Sequence, residues 1–154
     1  MVRGFLFQVT AGLVAWTLAE DYNLGMRFAR IVYSVAAAWG ILLLAPLLFA
    51  YNYINAHSPW PLTHPENYYG FVWCALLWQF AFLLIARDPI RYRALQGLAI
   101  LEKFGYGGMA WVLYLQHRVD RPQSVLASVD LLLGVLFIIA RSKTPATSLS
   151  SSGS

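Results

Sequence analysis

The sequence predicts an all-α integral membrane protein, an up-down-up-down four-helix bundle, and three observations carry that prediction. The chain is apolar over long runs: 59% of its 154 residues are hydrophobic and 12% are charged, about half the charge of a typical soluble domain. Its mean hydropathy is +0.56. The runs lack the alternation that a strand barrel needs, so each must satisfy its backbone groups as a helix. The connections between the later runs are short enough to allow only antiparallel neighbours. Six Trp and nine Tyr suit a chain whose rings anchor helices at the water interface.

Crossing a hydrocarbon core of roughly 30 Å takes about 20 mainly apolar residues. The first such span is "IVYSVAAAWGILLLAPLLFA" (31–50), where Pro46 is expected to kink the helix. The second is "YYGFVWCALLWQFAFLLIA" (68–86), and neither run carries a charge. The third, "ALQGLAILEKFGYGGMAWVLYL" (94–115), is interrupted by Glu102 and Lys103, and the fourth, "SVLASVDLLLGVLFIIA" (124–140), by Asp130. Pro89 and Pro122 lie in the connections "RDPIRYR" and "QHRVDRP", where helices stop or restart. The segment 51–67, "YNYINAHSPWPLTHPEN", reads as a loop on the opposite face. Glu66 and Asn67 close it with residue types that suit a helix N-terminus.

The four-span domain is expected to cover 26–141. Ahead of it, "FLFQVTAGLVAWTLA" (5–19) is apolar for too few residues to match the other spans before Glu20 and Asp21. Residues 1–25 therefore read as an N-terminal interfacial helix or an extension in preference to a signal peptide ending at Ala19, with a short extra span as a further reading. The Ser/Thr-rich segment 142–154 is expected to be a disordered tail.

The net charge of +4 does not mark a nucleic-acid surface, because the basic residues flank apolar runs instead of lining one helix face. Arg27, Arg30, Arg87, Arg91, Arg93, Arg141 and Lys143 fall at one end of the spans; Arg118 and Arg121 fall at the other. The excess places both ends of the four-span bundle in the cytoplasm. Cys74, the single cysteine, excludes an internal disulfide and reads as a small buried hydrophobe within the second span.

The candidate site is a polar layer. At 1.5 Å per residue, Glu102 and Lys103 lie about 14–15 Å deep, Gln79 about 16 Å, and Asp130 about 10 Å from the other face. A lone charge at such depth costs roughly 2.5–3.5 kcal/mol, so these groups must face inward and find partners. Neighbouring helical residues diverge by about 100°, so Glu102 and Lys103 are poorly placed to satisfy each other. The economical pairing is Lys103 with Asp130, leaving Glu102 to Gln79, Tyr106, a bound water or a protonated state. Glu102, Lys103, Asp130 and Gln79, with Trp39 and Tyr106 as walls, form the candidate ligand-binding set. Gly105, Gly107 and Gly108, with the small pairs Ser34–Ala38 and Ala36–Gly40, suit close helix packing.

No catalytic residue is assigned. The chain has no HExxH, P-loop, GxGxxG or Ser-His-Asp order, and "GYGG" follows a membrane helix where a phosphate loop would follow a strand. His57, His64 and Glu66 share the long loop but match no established ligand spacing, so no metal site is expected. His117 reads as a solvated interface residue. The sequence identifies no cofactor.

"LLIARDPIRYRALQGLAILEKFGYGG" resembles a group of small bacterial four-helix inner-membrane proteins to which no activity is assigned. Their Ala-Arg-Asp-Pro turn has its counterpart in Ala86, Arg87, Asp88 and Pro89, their third-span lysine in Lys103, and their fourth-span acid in Asp130. The likeness covers about residues 27–141. "LLLGVLFIIA" departs from it, lacking the Trp-rich, Pro-containing end of span four. A looser likeness reaches DoxX-like and sterol-binding four-helix folds, some of which handle quinones or other flat apolar molecules. The resemblance implies a bacterial inner-membrane protein. The expected function is a non-enzymatic one, holding an apolar or lipid-like ligand near the bilayer midplane. The alternatives are a structural or assembly subunit of a membrane complex, and a lipid-acting isomerase or oxidoreductase with Glu102 as proton donor. Expected partners are the lipid bilayer, an apolar small molecule, and a membrane-protein partner or second copy, with no nucleic acid.

Overall fold

A computed structural model describes residues 2–58 and 62–146, with the backbone alone for residues 2–19. The described residues are helical: α1 (Val2–Leu44), a 3-10 helix (Ala45–Phe49), α2 (Tyr51–His57), α3 (Pro65–Arg87), α4 (Arg93–Leu115) and α5 (Arg121–Lys143). Three segments are long and apolar enough to cross a membrane: Glu20–Phe49, Pro65–Arg87 and Arg121–Lys143. Helix α4 matches α3 in length at 23 residues. Glu102, Lys103 and the "GYGG" glycines hold its hydropathy down, and it is not among the three.

Two boundaries differ from the sequence expectation. Helix α1 passes through Glu20, Asp21 and Met26 without a break. Residues 2–25 are thus continuous with the first apolar run, in a helix about 65 Å long at 1.5 Å per residue. At its other end the α-helix stops at Leu44, and Pro46 opens the 3-10 turn. The pyrrolidine ring removes the amide donor and crowds the preceding turn, so the chain tightens into i→i+3 bonding instead of kinking and continuing. The segment expected as a plain loop contains α2.

Helix α1 packs along α3, α4 along α5, and α1 also against α5, whereas the consecutive helices α3 and α4 touch far less than these pairs. The shared core lies toward the Arg-rich end. Tyr33, Phe82 and Phe137 are fully buried there, with Tyr33 stacked on Phe137 at 4.2 Å between centroids and Phe82 edge-on to Phe137 at 5.1 Å. Ala29, Ala37, Ala99 and Ala140 fill the spaces between the rings. Gly107 brings α4 onto α5: a Cβ there would lie 2.9 Å from Leu131 and 3.0 Å from the Ala127 carbonyl oxygen. Gly105 and Gly108 face open space, so one of the three glycines serves close packing. On α1, Ala36 and Gly40 pack inward while Ser34 and Ala38 are exposed.

Polar bonds tie the start of α4 to the end of α5. The Arg141 guanidinium donates to the Arg93 carbonyl, and Arg93 Nε donates to the Thr144 carbonyl at 3.1 Å. Thr144 is 2% exposed, and its hydroxyl donates to the Ala140 carbonyl. The chain is therefore ordered past Ser142, while 147–154, most of the expected tail, lies outside the described residues. Lys143 sits against Gly25 of α1 and over the Phe28 ring, which brings the middle of α1 to the same end as Arg87, Arg93 and Arg141. Cys74 is exposed on α3. The expectation of a buried thiol fails because the inward stripe of α3 is Val72, Leu76, Gln79, Phe82, Ile85 and Ala86, a helical spacing that points residue 74 outward.

Candidate functional site

The site begins on α4, whose inward face carries Ala99, Lys103, Gly107 and Ala110. Gly107 lets α5 approach, so Asp130 comes within reach of Lys103. Lys103 Nζ donates to Asp130 Oδ1 at 2.6 Å, with the two side chains 7% and 19% exposed. Nζ also lies 3.4 Å from Glu102 Oε2, a correction to the expectation that adjacent residues diverge too far. The four-carbon lysine stem bends back across the gap that the backbone angle opens. This second contact has the distance of an ion pair without hydrogen-bond geometry: Glu102 Oε2 is buried and, among the described residues, takes no hydrogen bond. The ammonium also rests 5.3 Å from the centroid of the Phe82 ring, within range of cation–π attraction.

Gln79 enters from α3, 3% exposed. Its amide donates to the Ala75 carbonyl at 3.0 Å, within its own helix, and it does not pair with Glu102 as expected. Gly40 of α1 makes room for it, since a Cβ at residue 40 would overlap the Gln79 carboxamide. The Tyr106 hydroxyl, the other expected partner of Glu102, accepts from Gln123 Nε2 at 3.4 Å instead.

These groups form the polar end of a cavity of about 500 Å³ lined by Glu102, Lys103, Asp130, Gln79, Trp39 and Tyr106. All six candidate residues thus line one half-open space between the α1–α3 pair and the α4–α5 pair, in which the wall residues Trp39 and Phe71 are themselves exposed. Its remaining walls are chiefly apolar: Ala36, Leu43, Leu44, Phe71, Val72, Ala75, Leu126 and Leu133. Phe71 of α3 and Tyr106 of α4 close the loosest seam, with ring centroids 5.9 Å apart. Phe82, whose ring lies 5.3 Å from Lys103 Nζ, joins the lysine to the buried Tyr33–Phe137 cluster.

Toward the other end the cavity is roofed by Leu47, Ile54 and Tyr68, three residues the sequence did not single out. The Tyr68 hydroxyl donates to the Leu47 carbonyl at 2.8 Å, which holds the 3-10 turn over the top of α3. Tyr51 donates to the Leu62 carbonyl, and the Leu62 amide donates to Asn55 Oδ1. These bonds fold the connection back over the opening. The tyrosine cluster of 51, 68 and 69 was the available signal, and its rings do pack together. In the same region His64 pairs with Glu66 at 2.9 Å and His57 bonds the Tyr53 carbonyl. Among the described residues no three candidate metal ligands gather.

No family model, no curated protein and no solved structure matches the chain.

Proposed function

We propose that the chain is a small integral membrane protein of four spans, in which α4 crosses beside the three more apolar segments, and that it holds an apolar or lipid-like molecule in the midplane cavity. One observation supports this most: a space of about 500 Å³ with chiefly apolar walls and a charged floor, a size and composition typical of small-molecule sites. A polar layer that served only to lock helix rotation would be packed solid, because filling the space gains dispersion and burial. Helix α4 gains its place in the bilayer from its neighbours, since the ion pair to Asp130 offsets the cost of Lys103 at that depth. The concentration of Arg and Lys at the Tyr33 end supports a cytoplasmic placement of that end. The likeness to four-helix bacterial inner-membrane proteins supports that membrane as the location.

The test is native mass spectrometry of protein extracted gently from its own membrane, with Ala75→Phe as the decisive variant. Ala75 lines the cavity, and a phenyl ring there fills the space while leaving every charge in place. A stoichiometric small molecule on the wild type that is lost from folded Ala75→Phe is the expected result. A wild type with no bound molecule, and a Glu102→Gln, Lys103→Met variant that is merely less stable, would make the layer a structural lock in an assembly subunit.

A further inference from the structure

We infer that the cavity selects an apolar molecule ending in a hydrogen-bond donor, an amine or an alcohol, and discriminates against one ending in a carboxylate. The inference rests on the ligand-holding function proposed above and concerns what the floor of that cavity recognises.

Among the described residues lining the cavity, Lys103 is the single basic group, against the two carboxylates of Glu102 and Asp130. The short bond from Lys103 is committed to Asp130 at 2.6 Å. Glu102 Oε2 lies 3.4 Å from the same ammonium yet is buried without a hydrogen bond. The Gln79 amide is turned into its own helix, toward the Ala75 carbonyl, and does not serve Glu102. The floor therefore presents acceptor capacity in excess, and the carboxylates outnumber the cation. A buried acceptor left without a donor is costly, and a charged one more so. Glu102 Oε2 itself is buried, but the Glu102 side chain is 20% exposed and lines the cavity, so a ligand that brings an N–H or O–H to its carboxyl group supplies the donor the floor lacks. A carboxylate head brings a third negative charge and no donor. The aromatic walls Trp39, Phe71 and Tyr106 suit either a neutral or a cationic head, because ring faces attract cations.

The chemistry is tested with probes that share a tail and differ at the head: dodecylamine, dodecanol, 2-dodecanone and dodecanoate. Each is titrated into full-length protein in nanodiscs of uncharged phosphatidylcholine. The signal is the saturable fluorescence change that disappears in Trp39→Phe, which isolates the tryptophan at the cavity wall. The amine or the alcohol is expected to bind about tenfold or more tighter than dodecanoate and dodecanone, the scale of one hydrogen bond to a charged group. In Glu102→Gln, which keeps the shape and removes the charge, that preference should fall to within about twofold. Amine binding without alcohol binding identifies a cation as the preferred donor; comparable binding of both identifies the hydrogen bond itself. Dodecanoate or dodecanone binding as tightly as the donor-ended probes overturns the inference and leaves the cavity as a ligand site. A preference that survives in Glu102→Gln overturns it as well. The absence of a saturable signal with any probe overturns both the inference and the ligand-holding function. Ala75→Phe, charges intact, should abolish binding of every probe.

Discussion

At Lys103 one ammonium serves two acids, and its environment makes the three residues interdependent. Removing Lys103 alone strands Asp130, whose side chain is 19% exposed, and breaking a buried pair in this way costs about 3–5 kcal/mol. Removing both partners of the 2.6 Å pair is milder, because Asp130 is no longer stranded, although Glu102, 3.4 Å from the same ammonium, then loses its cation. Lys103→Met and Asp130→Leu should therefore each destabilise the protein, while the double variant costs less than the sum of the two. The coupling in a thermal or denaturant double-mutant cycle should be on the order of 1–3 kcal/mol; additivity would show that the 2.6 Å contact contributes nothing. This pairing was legible in the sequence because charges inside apolar runs are rare and must meet at matching depth. The Glu102–Lys103 contact was not, since it depends on how a flexible stem bends, which backbone periodicity does not encode. Gly40 was legible only as a small residue. That its missing Cβ accommodates the Gln79 amide is a property of two helices together.

At the scale of elements, the ends of the helices show where sequence rules hold and where tertiary context decides. Helix α4 ends at Leu115, followed by Gln116 and then His117 in the left-handed region at φ 56°. The His117 amide bonds the Tyr114 carbonyl and the Arg118 amide bonds the Leu113 carbonyl, the paired closure of a Schellman motif. A β-branched side chain is strained there, so His117→Val should lower stability by roughly 1–2 kcal/mol. His117→Gly should hold or raise the melting temperature. Equal melting temperatures for the two variants would mean the left-handed turn does not form. The solvated-interface reading of His117 had no means of finding this turn, because a closing residue other than Gly leaves no mark in the sequence. Pro46 was legible as a disruption, but not its form. A 3-10 turn held by a bond from Tyr68 to Leu47 depends on a residue 21 positions away. The same reason hid the roof of the cavity: Leu47, Ile54 and Tyr68 come together through hydrogen bonds, not through spacing on one helix.

For the whole molecule, the division of charge between the two ends makes a directional prediction. In a Cys74→Ser background, His64→Cys should react with a membrane-impermeant maleimide on intact spheroplasts, and Arg91→Cys only after lysis. The opposite pattern would invert the proposed orientation. The apolar runs and the antiparallel order of the long helices were readable because both follow from local composition and connection length. The length of α1 was not, because Glu20 and Asp21 mark a change of polarity without breaking a helix: Glu propagates helical backbone about as well as Leu, and a single Asp costs under about 0.7 kcal/mol relative to Ala.

The three rings beneath Lys103 also limit what the cavity can do. Tyr33, Phe82 and Phe137 are fully buried and interlocked, so the chamber has a blind end toward the arginines. On the proposed function, a bound molecule enters and leaves past the tyrosine roof or the α3–α4 seam. Passage to the far compartment would require unpacking the densest part of the fold. For the ligand-holding function proposed above, a packed end of this kind makes the space a receptacle and not a conduit.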